Sequence, residues 1–214
     1  MRILVIDDSA VHQASARQTL KDHDLTVATS YEQGFRMLAP VDDEGGTVWK
    51  DKAGKRFDVV LSDLLMPAPG TMLMPAAKKT FEGTEQPLGW ALVLRAILNG
   101  TRYAAIVSQT SHHDHPAAYA LDAIDNAHDA WGDNKWARGL PFKKPQFVIN
   151  GAVVGFFHSP SCIVHGIRGC SWKCDDGKDS RGKPCEMCEG TGFARGKNWR
   201  LVLKSLLEPS NARA

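Results

Sequence analysis

The chain has 214 residues, of which 43% are hydrophobic and 23% are charged, and its formal net charge is +2. This length accommodates one large domain or one domain with sizeable insertions, and the composition is ordinary for a globular protein. The small net charge excludes a bulk electrostatic requirement for a polyanionic partner, although a local basic patch remains compatible with it.

The longest apolar runs are of strand length, well short of the roughly 20 residues that a helix needs to cross a bilayer. The first such run, residues 2–6, is followed at once by two aspartates, which is not the pattern of a secretory signal peptide. These features predict a cytoplasmic protein without a membrane partner. In a reducing compartment, paired cysteines favour metal binding over disulfide formation.

Short apolar runs alternate with helical patterns along most of the chain. The runs predicted as strands are 2–6, 25–29, 57–63, 103–109 and a short fifth within 139–145. The segments predicted as helices are the stretch through about Lys21 that Ser9 caps, 30–39, 88–98, 116–131 and a last helix with Trp199, Val202, Leu203 and Leu206 on one apolar stripe. This order predicts an α/β fold with a doubly wound, parallel, five-stranded sheet covered by helices on both faces.

Three segments depart from the alternation. Residues 40–56 are rich in glycine and charge, and residues 67–87 carry four prolines and are predicted as a long loop. Residues 146–197 hold a predicted hairpin with Asn150-Gly151 at its turn, followed by most of the cysteines. The predicted units are therefore a domain at 1–145 with insertions at about 40–56 and 67–87, an inserted hairpin and metal unit at 146–197, and a C-terminal helix at 198–214 that completes the domain.

Polar residues fall at the predicted carboxyl ends of the strands, where open α/β sheets bind their ligands. Asp7 and Asp8 follow the first strand, Asp63 ends the third, Ser108 ends the fourth and Lys144 follows the fifth. Converging carboxylates repel one another unless a cation lies among them, and Mg²⁺ prefers such oxygen ligands. One carboxylate can then act as a nucleophile toward a phosphoryl group, whose oxygens the hydroxyl and the ammonium would bind.

The segments ILVIDDS, VVLSDLLMP, AAIVSQTS and KKP resemble the receiver domain of two-component response regulators, which has a flavodoxin-like fold. The resemblance covers about residues 1–145 and the last helix. It implies that Asp7 and Asp8 bind magnesium together with Asp63 and the backbone carbonyl of Leu65. It also implies that Asp63 is the phosphoacceptor, and that Ser108 and Lys144 complete the site.

By the same resemblance, the protein is a stand-alone phosphorylation switch rather than an enzyme. Its expected partners are a histidine kinase or phosphotransfer protein and a downstream protein. The sequence departs from the family in the long loop after Pro67 and in the aromatic that usually precedes the lysine, for which Phe142 is the only candidate.

Four of the five cysteines form two close pairs, Cys170 with Cys174 and Cys185 with Cys188. Four thiolates at this spacing match a closed, tetrahedral, structural zinc site, with two disulfides or free thiols as the alternative. The second pair, in CEMCEGTG, resembles one zinc knuckle of the cysteine-rich domain of J-protein chaperones. One structural Zn²⁺ is therefore predicted, which would order this segment and reshape the neighbouring surface.

Other patterns leave alternatives open. Two further groups are candidates for metal binding: Cys162 with His165, and the histidines of SHHDH at 111–115. The favoured alternatives are a buried thiol, surface histidines or a helix cap. Residues 168–200 carry eight Lys/Arg against five Asp/Glu, so a nucleic-acid-binding regulator is an alternative that this small excess does not favour. A receiver-like assembly protein without phosphorylation is the third alternative.

Overall fold

The computed structural model describes residues 1–38, 57–108, 115–125, 146–158, 183 and 196–208. The predicted insertion at 40–56, the predicted strand at 139–145 and all the cysteines lie outside these residues. No helix in the described ranges is long and apolar enough to cross a membrane.

Strands and helices alternate as the sequence predicts. The main-sheet strands are β1 (Arg2–Ile6), β2 (Asp24–Ala28), β3 (Val59–Asp63), β6 (Tyr103–Ser108), β7 (Gln146–Ile149) and β8 (Ala152–His158). The helices are α1 (Ala10–Thr19), α2 (Tyr31–Met37), α3 (Pro75–Phe81), α4 (Gly89–Leu98), α5 (Pro116–Asp125) and α6 (Trp199–Leu207). The strands β4 (Met66–Pro67) and β5 (Glu85–Gln86) form a separate two-stranded sheet.

Local signals in the sequence set several of these boundaries. Ser30 caps α2 by accepting a hydrogen bond from the backbone N–H of Gln33, and Asn198 caps α6 by accepting one from Leu201. Gly100, with φ of 82°, follows the end of α4. Asn150 and Gly151 both have positive φ, which a two-residue type I′ hairpin turn requires. The predicted cap at Ser30, the end of α4 at Asn99-Gly100 and the turn at Asn150-Gly151 are thus confirmed, whereas Ser9 stands at the start of α1 without a capping hydrogen bond from its side chain.

The main sheet has six strands in the order β2-β1-β3-β6-β8-β7. Five of them run parallel, and β7 is antiparallel to β8. When the five parallel strands are numbered in chain order, their order across the sheet is 2-1-3-4-5. The connections change direction between β1 and β3. This arrangement is an α/β fold with a mostly parallel sheet, compatible with a flavodoxin-like fold. The gap between β1 and β3 is its topological switch point, where ligands bind in folds of this kind.

Side-chain alternation along the strands divides the core between the two faces of the sheet. Ile3 and Val5 of β1, with Val59 and Leu61 of β3, pack under α1 and α6. The intervening residues of these strands pack with α2 and α4, and β6 and β8 pack with α4 and α5 on that same side. The predicted stripe on α6 is confirmed, because all four of its residues are buried: Trp199, Val202, Leu203 and Leu206.

Two predictions differ from the structure. The stretch 67–87 is not a plain loop, because Pro75 begins the short helix α3 at its first turn, where a missing N–H costs nothing. The predicted hairpin exists, but both of its strands belong to the main sheet rather than to an insertion. Its second strand, β8, is the fifth parallel strand, and β7 extends the edge, so the sheet has six strands instead of the predicted five.

Candidate phosphoryl and metal site

The acidic cluster lies at the carboxyl ends of β1 and β3. Asp7 and Asp8 directly follow β1, and Asp63 is the last residue of β3. One carboxylate oxygen from each residue lies within 4.8 Å of the others. Asp7 is fully buried, Asp63 is 15% exposed and Asp8 is exposed, so the cluster opens to solvent on one side. The three predicted metal-binding carboxylates are therefore brought together.

Strand alternation explains why two of these carboxylates meet. Asp7 continues the series Ile3, Val5, and Asp63 continues the series Val59, Leu61, all of which face α1 and α6. Because β1 and β3 are adjacent and parallel, the same face at the same edge receives both acidic side chains. A lysine on the chain just before α6 can then reach both of them.

That lysine is Lys197, which the sequence patterns did not single out. Its ammonium Nζ lies 2.6 Å from Oδ2 of Asp7 and 3.0 Å from Oδ1 of Asp63, and its side chain is fully buried. The only sequence signal for it is its position directly before Asn198, the cap of a helix that must pack on the sheet. The predicted Lys144 lies outside the described residues.

Hydrogen bonds fix the orientation of both buried carboxylates. Oδ1 of Asp7 accepts from the backbone N–H of Ser9 at 2.9 Å, while its Oδ2 faces Lys197. Oδ1 of Asp63 accepts from the backbone N–H of Leu64 at 2.7 Å and also contacts Lys197. Both contacts of Asp63 thus fall on one oxygen, and Oδ2 takes part in neither.

Burial controls the protonation of the cluster. Burial raises the pKa of Asp63 to about 6, an effect that the Lys197 ammonium opposes and the Asp7 carboxylate reinforces. Burial likewise raises the pKa of Asp7 against the opposing effect of Lys197. Burial alone would lower the pKa of Lys197, but the two carboxylates outweigh it and raise that pKa. With every group ionised, three carboxylates face one ammonium, and a divalent cation would neutralise the remaining charge.

The donor set fits magnesium. Mg²⁺ binds oxygen ligands at about 2.1 Å, which places two oxygens on the same ion about 3 to 4 Å apart. The cluster oxygens lie within 4.8 Å of one another, so these three carboxylates could hold a metal ion. The predicted fourth ligand, the carbonyl of Leu65, belongs to a residue two positions beyond the end of β3.

Ser108 ends β6 at the same edge and is buried. It follows Val107, the residue that pairs with Asp63 across the two strands. By alternation, Ser108 continues the series Ala104, Ile106 on the face of the sheet that α4 and α5 cover. Asp63 continues the series on the opposite face, which α1 and α6 cover. The strand ends therefore lie together, with the two side chains leaving the sheet on different sides.

The zinc prediction falls outside the described residues. Cys170, Cys174, Cys185 and Cys188 are not among them, nor are Cys162, His165 and the histidines at 112 and 113. His115 is described, and its Nδ1 accepts a hydrogen bond from the backbone N–H of Ala117 at the start of α5. This contact agrees with the helix-cap alternative for His115.

Comparison of the chain with protein-family models, with curated proteins and with solved structures finds no match.

His12, beside the site on α1, gives a stability prediction. It is 7% exposed, and burial followed by the nearby Lys197 charge lowers its pKa to about 3. The unfolded chain binds this proton near the ordinary pKa of about 6.5 and the folded chain does not, so stability falls as the pH falls. Between about pH 7.5 and 5.5 His12 should contribute a loss of about 1.4 kcal/mol.

The measurement is urea unfolding of the wild type and of His12→Asn at both pH values. Asparagine keeps an acceptor near Nδ1 but does not titrate. Asp63, with its raised pKa, contributes with the opposite sign in both proteins and cancels in the comparison. Equal losses of stability in the two proteins would show that His12 is readily protonated in the folded chain.

Proposed function

We propose that this protein is a phosphorylation switch that accepts a phosphoryl group on Asp63 with magnesium bound at Asp7, Asp8 and Asp63. The observation that carries the proposal is the convergence of three carboxylates and one ammonium at the β1/β3 switch point. Ligand binding at this place is the rule for such sheets. The exposure of Asp8 and the 15% exposure of Asp63 support the approach of a phosphodonor from that side.

The geometry of Asp63 suits nucleophilic attack by one oxygen. Leu64 and Lys197 hold Oδ1, which leaves Oδ2 to attack phosphorus. As the new O–P bond forms, the bond from phosphorus to the leaving group breaks, and the leaving group departs with the electron pair. When bound, Mg²⁺ would neutralise charge on the transferring oxygens. Asp7 and Asp8 would hold the ion, and Lys197 would offset part of the charge of the cluster.

The output of such a switch is a change in affinity for a protein partner. Lys197 forms an ion pair with Asp63 and stands two residues before α6, so a change at Asp63 would reach the helix that packs beside α1 on the sheet. The zinc segment belongs to this proposal because its last cysteine, Cys188, stands nine residues before Lys197 in the sequence. Zinc bound there would restrict the chain that leads to the site.

The proposal predicts that acetyl phosphate with magnesium adds one phosphoryl group to the wild type. Intact-protein mass spectrometry would measure it, and Asp63→Asn should reduce the incorporation to background because the amide is a poor nucleophile. Removal of magnesium with a chelator should have a similar effect in the wild type.

Asp58→Asn is the matched control. Asp58 precedes β3 at the opposite end of the strand and pairs with Arg2 on the surface. The Asp58→Asn variant should therefore incorporate phosphate at the wild-type rate. Absence of incorporation in the wild type, or equal incorporation in Asp63→Asn, would contradict the proposed function.

A further inference from the structure

The buried lysine at the site comes from an unexpected part of the chain. Lys197 stands two residues before Trp199, the first residue of α6, far from the end of the fifth parallel strand β8. Its ammonium already contacts Oδ1 of Asp63 at 3.0 Å. A fully buried ammonium is costly unless it is paired, and two carboxylates pair it here.

Helix α1 holds the backbone on both sides of this lysine. The N–H of Lys197 donates to Nδ1 of His12 at 3.3 Å, and its carbonyl accepts from Oγ of Ser15 at 2.6 Å. Trp199 Nε1 in turn donates to the carbonyl of His12 at 2.9 Å. These contacts fix the position of the lysine backbone, while Asp7 and Asp63 hold its ammonium.

Close packing reinforces this attachment. A Cβ atom on Gly196 would lie 2.5 Å from Cβ of Ser15, so only glycine lets the chain approach α1 at this point. Ser15 is itself fully buried. The path of the chain before α6 is therefore set by its contact with α1.

We propose that Lys197, rather than Lys144, binds the phosphoryl oxygens on Asp63, and that Ser15 and His12 are the residues that position it. This inference rests on the proposed function. A phosphoryl group on Asp63 brings further negative oxygens within reach of the ammonium, which then exchanges its contact with Asp7 for a charge-assisted hydrogen bond to the phosphoryl group. Lys197 thereby links the state of Asp63 to the start of α6.

The test compares Lys197→Met with Lys144→Met. The rate of phosphorylation by acetyl phosphate, and the affinity for beryllofluoride as a phosphoryl mimic, are measured for each with magnesium present. We expect Lys197→Met to lower both by about 10-fold or more and Lys144→Met to stay within about 2-fold of the wild type. Wild-type behaviour of Lys197→Met, or a loss confined to Lys144→Met, would overturn the assignment.

The positioning role has its own readout. Ser15→Ala should slow phosphorylation several-fold in the wild-type background and have no further effect in the Lys197→Met background. A purely structural role of Ser15 would slow both backgrounds equally. Equal slowing would therefore overturn the positioning part of the proposal.

A measurement on the unaltered chain covers the outcome in which Lys197→Met does not fold. With ¹⁵N-labelled lysine side chains, the Lys197 ammonium should give an exchange-protected NMR signal that is missing in Lys197→Arg. Beryllofluoride should shift that signal. If beryllofluoride binds in a way that depends on Asp63 but does not shift the Lys197 signal, this inference alone is overturned. If the wild type binds no beryllofluoride and accepts no phosphoryl group, the proposed function is overturned as well.

Discussion

Replacing Gly89 with alanine is expected to lower the free energy of unfolding by about 3 kcal/mol. An added Cβ would lie 1.9 Å from the carbonyl oxygen of Asp63, 2.9 Å from its carbonyl carbon and 3.0 Å from Cα of Leu64. All three atoms are backbone, so no side-chain rotation relieves the overlap. Urea unfolding followed by circular dichroism measures the loss.

The sign of this prediction separates packing from helix propensity. Gly89 is the first residue of α4, and alanine is the better helix former by about 1 kcal/mol. The control is Ala91→Gly at an exposed position of the same helix, which should cost about 1 kcal/mol through propensity alone. A Gly89→Ala variant that is more stable than the wild type would show that α4 does not press against the end of β3.

The contact at Gly89 also concerns the candidate site. The overlapping atoms belong to Asp63 and Leu64, whose backbone positions the proposed acceptor carboxylate. Relief of the overlap must move α4 or the end of β3. The folded fraction of Gly89→Ala is therefore expected to accept phosphate more slowly than the wild type, whereas Ala91→Gly leaves the site in place.

Most of the sheet could be predicted because its signals are local. The buried runs of β1, β3 and β6 consist of apolar, mostly β-branched or small residues, and a polar residue ends or directly follows each of them. Alternation and strand order then bring Asp7 and Asp63 to one edge without further information. The acidic cluster was therefore accessible from sequence, because parallel neighbouring strands share their carboxyl edge.

The role of the hairpin could not be read from the same signals. Asn150-Gly151 specifies a turn between two strands but does not specify which neighbour either strand pairs with. The sequence pattern placed the fifth strand at 139–145, whereas β8 fills the position beside β6. Pairing partners are decided by long-range packing, in this case by Phe156 and Phe157 on opposite faces of β8.

Lys197 was missed for a related reason. A lysine before a helix cap is usually solvated, and the apolar stripe that begins at Trp199 does not include Lys197. Its environment is made almost the full length of the chain away, by His12 and Ser15 of α1 and by the carboxylate of Asp7 after β1. Tertiary contacts of this kind carry no periodic signature in the sequence.

The charge balance of the acidic cluster links ion binding to phosphorylation. Within the described part of the chain one ammonium faces the three carboxylates, and burial raises the pKa of Asp7 and of Asp63 against the opposing effect of that ammonium. A divalent cation would relieve that excess, and a phosphoryl group would then return negative charge beside Lys197. The same groups can thus respond to ion binding and to phosphorylation, because each event changes which carboxylate the lysine neutralises.

The other large expected effect lies at Trp199, which joins the site to the core. Its side chain is fully buried between the sheet and α1, and its Nε1 donates to the carbonyl of His12. Trp199→Ala removes the largest buried side chain of α6 and leaves that carbonyl without its indole donor, so the free energy of unfolding should fall by about 3 to 5 kcal/mol. Urea unfolding measured by circular dichroism at fixed pH gives the value.

Two controls divide this loss into its parts. Trp199→Phe keeps an aromatic ring but not the N–H donor, and it should lower the free energy of unfolding by about 1 to 2 kcal/mol. Leu207→Ala lies at an exposed position at the end of the same helix and should change that free energy by no more than about 0.5 kcal/mol. Since Trp199 and Lys197 are both held by His12, Trp199→Phe should also slow phosphorylation of Asp63 while Leu207→Ala does not. A Trp199→Ala variant as stable as the wild type would mean that α6 does not pack on the sheet, and the link from Asp63 through Lys197 to the α1–α6 face would have no physical basis.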